Sequence, residues 1–276
     1  MQVAIQPLKN TRCLIVVDPQ NDFCMPDRED GFYRNKPAAP IAGANDVCNR
    51  IDKVILTNNF DNVYVCMEQR QVAHISHVGY WAIKGNLPPL PAPITLDDVM
   101  AGRFVPARKA DLPHVKNYLA ALQATGRTHM VTKAFCRSGT WGAAMHPLIG
   151  DSTGIWSATT RHAYSLINTN TDNGTEMYSA FEAAVPSEVT KFNTDAVNHI
   201  MQNEAIFICG VRRVEESTRS LLKHRGGKNM FIIRNCTIEV FEKEAMKHGV
   251  RIVEADEGNL KPANIKTTMV ADGRMR

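Results

Sequence analysis

An acidic side chain at the end of an apolar run is a candidate general acid or base, and the chain places Asp18 directly after Leu14-Ile15-Val16-Val17 and before Pro19-Gln20-Asn21-Asp22-Phe23. Low dielectric at the tip of a buried strand lets neighbours, rather than water, set the proton affinity of such a carboxyl. An aspartate there can equally serve as a strand-ending turn cap. A second constellation is Glu68, Arg70 and His74. Divalent ions favour about three protein ligands with no fixed cation among them, so one carboxylate and one imidazole beside a guanidinium make a poor metal site. His74 reads instead as a hydrogen-bonded loop histidine. Thiol chemistry has seven candidates: Cys13, Cys24, Cys48, Cys66, Cys136, Cys209 and Cys236. They are scattered, never form a C-x-x-C pair, and several lie in apolar runs. Buried free thiols of a reducing compartment are the expectation.

The elements that must position these groups alternate in type. Continuous apolar runs at Cys13–Val17, Val63–Met67, Ala205–Cys209, Met230–Ile233 and Val250–Val253 predict buried strands, with a weaker strand at Met130-Val131. Helical spacing predicts helices over Asn45–Leu56, from Asp111-Pro113 to a stop at Gly126, and over Thr194–Met201, Val214–Lys223 and Ile238–His248. Strand-helix alternation of this kind predicts an α/β fold, a three-layer α/β/α sandwich around a mainly parallel sheet. Two segments break the rhythm. Tyr80–Pro106, with its prolines, reads as an irregular surface loop, and Asp151–Thr175, rich in Thr, Asn and Ser, as a strand edge plus loops. The division expected is one domain over residues 1–257, with a lid-like insertion at about 80–110, and a loosely held tail over 258–276.

Composition narrows the function classes. The 276 residues are 44% hydrophobic and carry a net charge of +4, so nucleic-acid binding is not indicated. No run reaches the roughly 18–20 apolar residues that span a bilayer, and residues 1–12 lack an apolar core of the kind a secretion signal needs. No membrane association and a cytoplasmic location are the expectations.

The segment from Leu14 to Cys24 resembles the opening strand and turn of the isochorismatase-like cysteine hydrolases, which include the nicotinamidases. Further landmarks follow in that family's order: Glu68-Gln69-Arg70 with His74-Ile75-Ser76, Phe135 to Gly142, Glu176-Met177-Tyr178-Ser179-Ala180-Phe181, and Cys209-Gly210-Val211 with Ser217-Thr218. Together they cover roughly residues 11 to 257. The resemblance implies a site built from an Asp, a Lys and a Cys, in which a cation lowers the thiol pKa and a base accepts its proton. Asp18 stands at the Asp position. Counting back nine residues from Tyr178, the Lys position holds Thr169; a second frame gives Thr175, and a weaker one, using Tyr164-Ser165, gives Arg161. Six residues after Gly210, the Cys position holds Glu216, while Cys209 falls on the wrong side of the glycine and reads as core. The metal that some nicotinamidases carry would fall at Glu68, Arg70 and His74, a degenerate set, so no cofactor is expected.

Four arginines, Arg70, Arg137, Arg212 and Arg213, lie in segments flanking the pocket implied by the resemblance, with Phe23 and Tyr178. They can pair with Asp18, Glu68 and Glu216, receive an anionic group, or stand solvated at the surface. The expected function is a homologue with a degenerate site and a binding or structural role, toward a protein partner or a small anionic ligand; relatives of such a fold make a homo-oligomer the expectation. The alternative is an active hydrolase using Asp18 as general acid or base, with Glu216 near enough to raise one carboxyl by like-charge repulsion.

Overall fold

The computed structural model describes residues 8–26, 36–86, 88–239 and 241–262. In chain order its first half runs β1 (Leu8–Val17), α1 (Asn21–Cys24), α2 (Ala44–Thr57), β2 (Asn62–Glu68), β3 (Trp81–Ile83), β4 (Ala92–Ile94), α3 (Leu96–Met100), β5 (Phe104–Pro106), α4 (Leu112–Ala124) and β6 (His129–Val131). Then come α5 (Pro147–Thr160), β7 (Ser165–Thr169), α6 (Thr194–Met201), β8 (Asn203–Gly210), α7 (Val214–Arg225), β9 (Met230–Thr237), α8 (Glu242–Lys247), β10 (Arg251–Asp256) and β11 (Asn259–Pro262).

The continuous apolar runs are those of strands covered on both faces. The main sheet has the order β11-β10-β9-β8-β1-β2-β7, parallel throughout except for β11. Side chains alternate along β1: Leu14 and Val16 join α2 and α5 in one apolar cluster, while Cys13, Ile15 and Val17 join α6, α7 and α8 in another. That makes the three layers. All seven cysteines are free and buried, and Cys209 packs in the core.

Several sequence expectations need correction. Residues 151–160, read as loop, belong to helix α5, which is short of apolar residues yet buries Ile149, Ser152, Thr153 and Trp156 against the sheet side, where Ser and Thr satisfy themselves on Ile149 O. The weak strand at Met130-Val131 pairs with β4 outside the main sheet. The helix anticipated at Ile238–His248 is confined to Glu242–Lys247. Of the tail, Asn259–Pro262 forms an antiparallel edge strand, and residues 263–276 lie outside the described residues.

The segment read as an irregular loop contains β3, β4, α3 and β5, and with α4 and β6 it shares its own apolar cluster around Ile94, Val115, Tyr118 and Leu122. Its local start signal is a capping box: the Thr95 side chain accepts from Asp98 N, and the Asp98 carboxylate accepts from Thr95 N. Thr95→Ala should cost about 1 kcal/mol of stability, readable as a shift in the urea midpoint. A variant equal to wild type would show that the cap contributes nothing. No helix among the described residues is long and apolar enough to cross a membrane.

Candidate functional site

The carboxyl ends of β1, β2, β7 and β8 converge, as a parallel sheet requires. At the end of β8, Gly210 has φ +145°, and a Cβ there would lie 2.2 Å from Val17 O. Only glycine permits this approach, and it delivers the following residues, Arg212 and Arg213, to the end of β1. Asp18 is fully buried with φ 55°, a left-handed backbone unusual for a non-glycine residue.

Arg213 grips Asp18 at two points, Nε to Oδ2 at 2.6 Å and Nη2 to Oδ1 at 2.5 Å. Its remaining donors reach Thr169 Oγ1 at 3.0 Å and Met177 O at 2.9 Å. The cation beside Asp18 is therefore Arg213, which arrives from the turn after β8 and not from any of the three frames; Thr169 hydrogen-bonds to it, and Arg161 of the weaker frame is exposed. Burial pushes the Asp18 carboxyl up to about 6 despite the opposing Arg213 guanidinium, with Glu68 adding to the rise. Glu216 is not that second carboxylate. Its Oε1 pairs with Arg127 Nη2 at 2.8 Å, with its side chain about one-third exposed, and Arg127 in turn lies over Tyr178 at 5.0 Å. These three residues border a different cavity, between the turn after α4, the 178–184 segment and α7.

Glu68, at the end of β2, is the hub of the charges. Oε2 accepts from Arg70 Nε and Oε1 from Arg212 Nη1, both at 2.7 Å, with Arg213 Nε at 3.1 Å. Burial works to raise its pKa, and the guanidiniums of Arg212, Arg70 and Arg213 overcome that, holding the group well below the ordinary carboxylate range. Arg70, fully buried, also pairs with both oxygens of Glu176, at 2.7 and 2.5 Å. Against burial, Arg70 holds Glu176 down to about 2. Sequence reasoning overlooked the role of Glu176, although it stands two residues before Tyr178. It also overlooked Gln20, whose amide binds Glu68 N and O and Ala143 O and so fixes the ends of β1 and β2. The Asp18, Glu68 and Glu176 carboxylates are thus matched by Arg70, Arg212 and Arg213. Arg137 stands apart, exposed.

His74 is buried, its Nδ1 accepting from Ser76 N at 3.2 Å and lying 3.1 Å from Arg70 Nη1. That pattern places the ring hydrogen on Nε2, which has no partner among the described residues. Burial, then Arg70, lowers its pKa to about 3. A divalent ion, which the resemblance implies for this spot, does not fit these residues. Arg70 occupies the space between Glu68, His74 and Glu176 and already bonds to both carboxylates, so a second fixed cation there would meet direct repulsion.

Next to the network lies a cavity of about 380 Å³ walled by Phe23, Ala39, Leu90, Pro91 and Phe135, with Arg212 and Lys133 among its lining. The Arg212 guanidinium stacks over Phe23 and Phe135 at 5.2 and 5.1 Å and is about one-third exposed. Cys24 Sγ approaches the main-chain oxygen of Asp18 at 3.8 Å. Burial pushes that thiol well up. At the start of α7, where free N–H groups form an anion seat, Glu239 already accepts from the N–H groups of Arg213 and Glu215, both at 2.7 Å.

No family model matches the sequence, and no curated protein matches it. Solved structures do. The chain superimposes on an Acinetobacter baumanii nicotinamidase/pyrazinamidase with a TM-score of 0.57 at 17% identity, covering 88% of this chain and 96% of that one. The yeast nicotinamidase bound to the inhibitor nicotinaldehyde gives 0.59 at 17% identity, over 88% and 100% of the two chains. A protein of L. infantum in complex with nicotinate gives 0.54 at 16% identity, over 91% and 96%. With the order of motifs read from its sequence and a parallel sheet sandwiched between helices, this chain has the isochorismatase-like α/β/α fold in the form seen in the nicotinamidases.

Proposed function

We propose that this protein is a non-hydrolytic homologue of the nicotinamidase-type hydrolases that uses the cavity beside Arg212 to bind a small planar anion. One observation carries the reading: Arg213 engages both oxygens of Asp18. A carboxylate paired at both oxygens with a guanidinium has about half of its four acceptor sites taken and its charge stabilised, so it is a weaker proton acceptor toward a nucleophile than a carboxylate without that partner. Two further facts support it. Glu216 stands where the resemblance implies a cysteine and faces Arg127, and Glu239 fills the anion seat at the start of α7. The ligand class follows from the cavity walls. Phe23 and Phe135 offer ring faces, and Arg212 and Lys133 are the charged residues of the lining. Among the described residues only Arg212 Nη1 is bonded to a protein oxygen, which leaves the rest of the guanidinium for a carboxylate.

A second reading is favoured by the elevation of Asp18 to about 6: a hydrolase in which Asp18 donates a proton. Both are tested on the full-length chain. Nicotinamide and isochorismate should give no turnover above buffer, and turnover abolished by Asp18→Asn would overturn the non-hydrolytic reading. Titration with nicotinate, followed by calorimetry, should show saturable binding that Arg212→Met weakens about 10–100-fold, the worth of one charge-assisted contact. Equal affinity in the variant would remove Arg212 from the site.

A further inference from the structure

The side chains around Arg70 come from separate parts of the chain: Glu68 from the end of β2, His74 and Ser76 from the loop that follows, and Glu176 from the segment after β7. Two carboxylates, an imidazole nitrogen and a hydroxyl converging on one buried positive centre are the donor types a divalent cation takes, although among the described residues no three His, Cys, Asp or Glu are grouped closely enough to hold one. At the centre is a guanidinium. Glu176 Oε2 and His74 Nδ1 are 3.9 Å apart, and His74 Nδ1 and Ser76 Oγ 2.8 Å. The first separation is wider than the roughly 3–3.5 Å between neighbouring ligands of one ion at bonds of about 2 Å, so these donors are spread around the guanidinium rather than closed on a metal. All of these side chains are buried, so the cation at their centre cannot be exchanged for water.

We propose that Arg70 is a covalently attached replacement for a metal ion: it ties the end of β2 to the 74–76 loop and to the segment carrying Glu176, and its charge excludes divalent cations from the donors it has gathered. The guanidinium suits this role. It has five N–H donors in a planar fork, is always charged, and is more weakly hydrated than an ammonium. Four of its hydrogen bonds go to Glu68, Ser76 and both oxygens of Glu176. Phe135 lies against its face at 4.7 Å. The resulting tether has no off-rate, and it is indifferent to metal supply.

The test is whether removing the guanidinium uncovers a metal site. Arg70→His deletes the fixed cation and leaves the position able to offer a third protein ligand beside Glu176 and His74. Cobalt(II) is the probe, because it reports on its ligands by visible absorption. Wild type should show no d–d bands in stoichiometric cobalt, and its melting temperature should be the same in cobalt and in chelator. Arg70→His should develop d–d bands and gain about 5–10 °C in excess cobalt, and adding His74→Ala should remove both effects. If the variant is unfolded in chelator, folding on addition of cobalt carries the same meaning. Three results would overturn the proposal: cobalt bands in wild type, a folded variant blind to cobalt, or a variant unfolded with and without the ion.

Discussion

Arg213→Met is expected to destabilise the fold by about 3–5 kcal/mol, the typical cost of leaving one member of a buried ion pair unpaired. Asp18 has no exposed surface and would keep a desolvated carboxyl whose bidentate partner is gone. Thr169 Oγ1 and Met177 O would lose a donor in the same step. Solvent cannot reach any of these atoms without opening the strand ends. The double variant Asp18→Asn/Arg213→Met removes the orphaned charge and should regain much of the loss, giving a coupling energy above about 1 kcal/mol in a double-mutant cycle. Urea denaturation of the four proteins measures it. A single variant within about 1 kcal/mol of wild type would mean that the Asp18–Arg213 contact does not organise the site.

Acid should unfold the protein earlier than its carboxylates alone would cause. His74 is held down to about 3 and His77 to about 4, each chiefly by burial and then by Arg70. Their bonding agrees: His74 Nδ1 accepts from Ser76 N, while His77 lies with Nδ1 on Gln71 O and Nε2 accepting from Phe135 N. A second ring proton on either would face an N–H. Both take up protons near 6.5 once unfolded, so the unfolded state binds more protons between about 6.5 and 4, and stability must fall as pH falls through that window. His129 and His146, also lowered by burial, act in the same sense. Asp18 acts oppositely. Raised to about 6 against 3.8 when unfolded, it favours the folded state as pH drops from 6 toward 4. Glu68 and Glu176, both lowered, withdraw their contribution only below about 4.5. The histidines outweigh Asp18, and a net loss on the order of 5 kcal/mol between pH 7 and pH 4 is expected, at about 1.4 kcal/mol per pKa unit per group. Urea midpoints taken across that range provide the measurement. Stability that stays level or rises down to pH 5 would show the imidazoles to be charged in the fold.

The fold was legible where apolar periodicity is strong. The runs at 13–17, 63–67, 205–209 and 230–233 are strands of the main sheet because burial on both faces leaves a continuous signature. Helix α5 was not legible. Its Ser152 and Thr153 are fully buried but satisfied locally, so it reads as polar loop although it packs as core. The site divides in the same way. Asp18, Glu68, Arg70, Arg212 and Arg213 were each singled out, and three-dimensional pairing brings them together. Glu216 was placed beside Asp18 by counting along the chain, but a helix residue's direction depends on its turn, and this one faces Arg127. Glu176, although it opens the landmark that ends at Phe181, gave no sign of its role, and Glu239 carried no signal. Each acts on groups remote in sequence, and only folding makes those neighbours.

The balance among Asp18, Glu68, Glu176, Arg70, Arg212 and Arg213 has an effect at long range. A balanced set of opposed charges has a potential that falls off faster with distance than that of a net charge, so these formal charges attract little from bulk solution. A diffusing anion senses chiefly the exposed Lys133 at the rim and meets Arg212 only on arrival. For the anion proposed above, the expected consequence is an association rate steered by exposed charges such as Lys133 and only weakly dependent on salt.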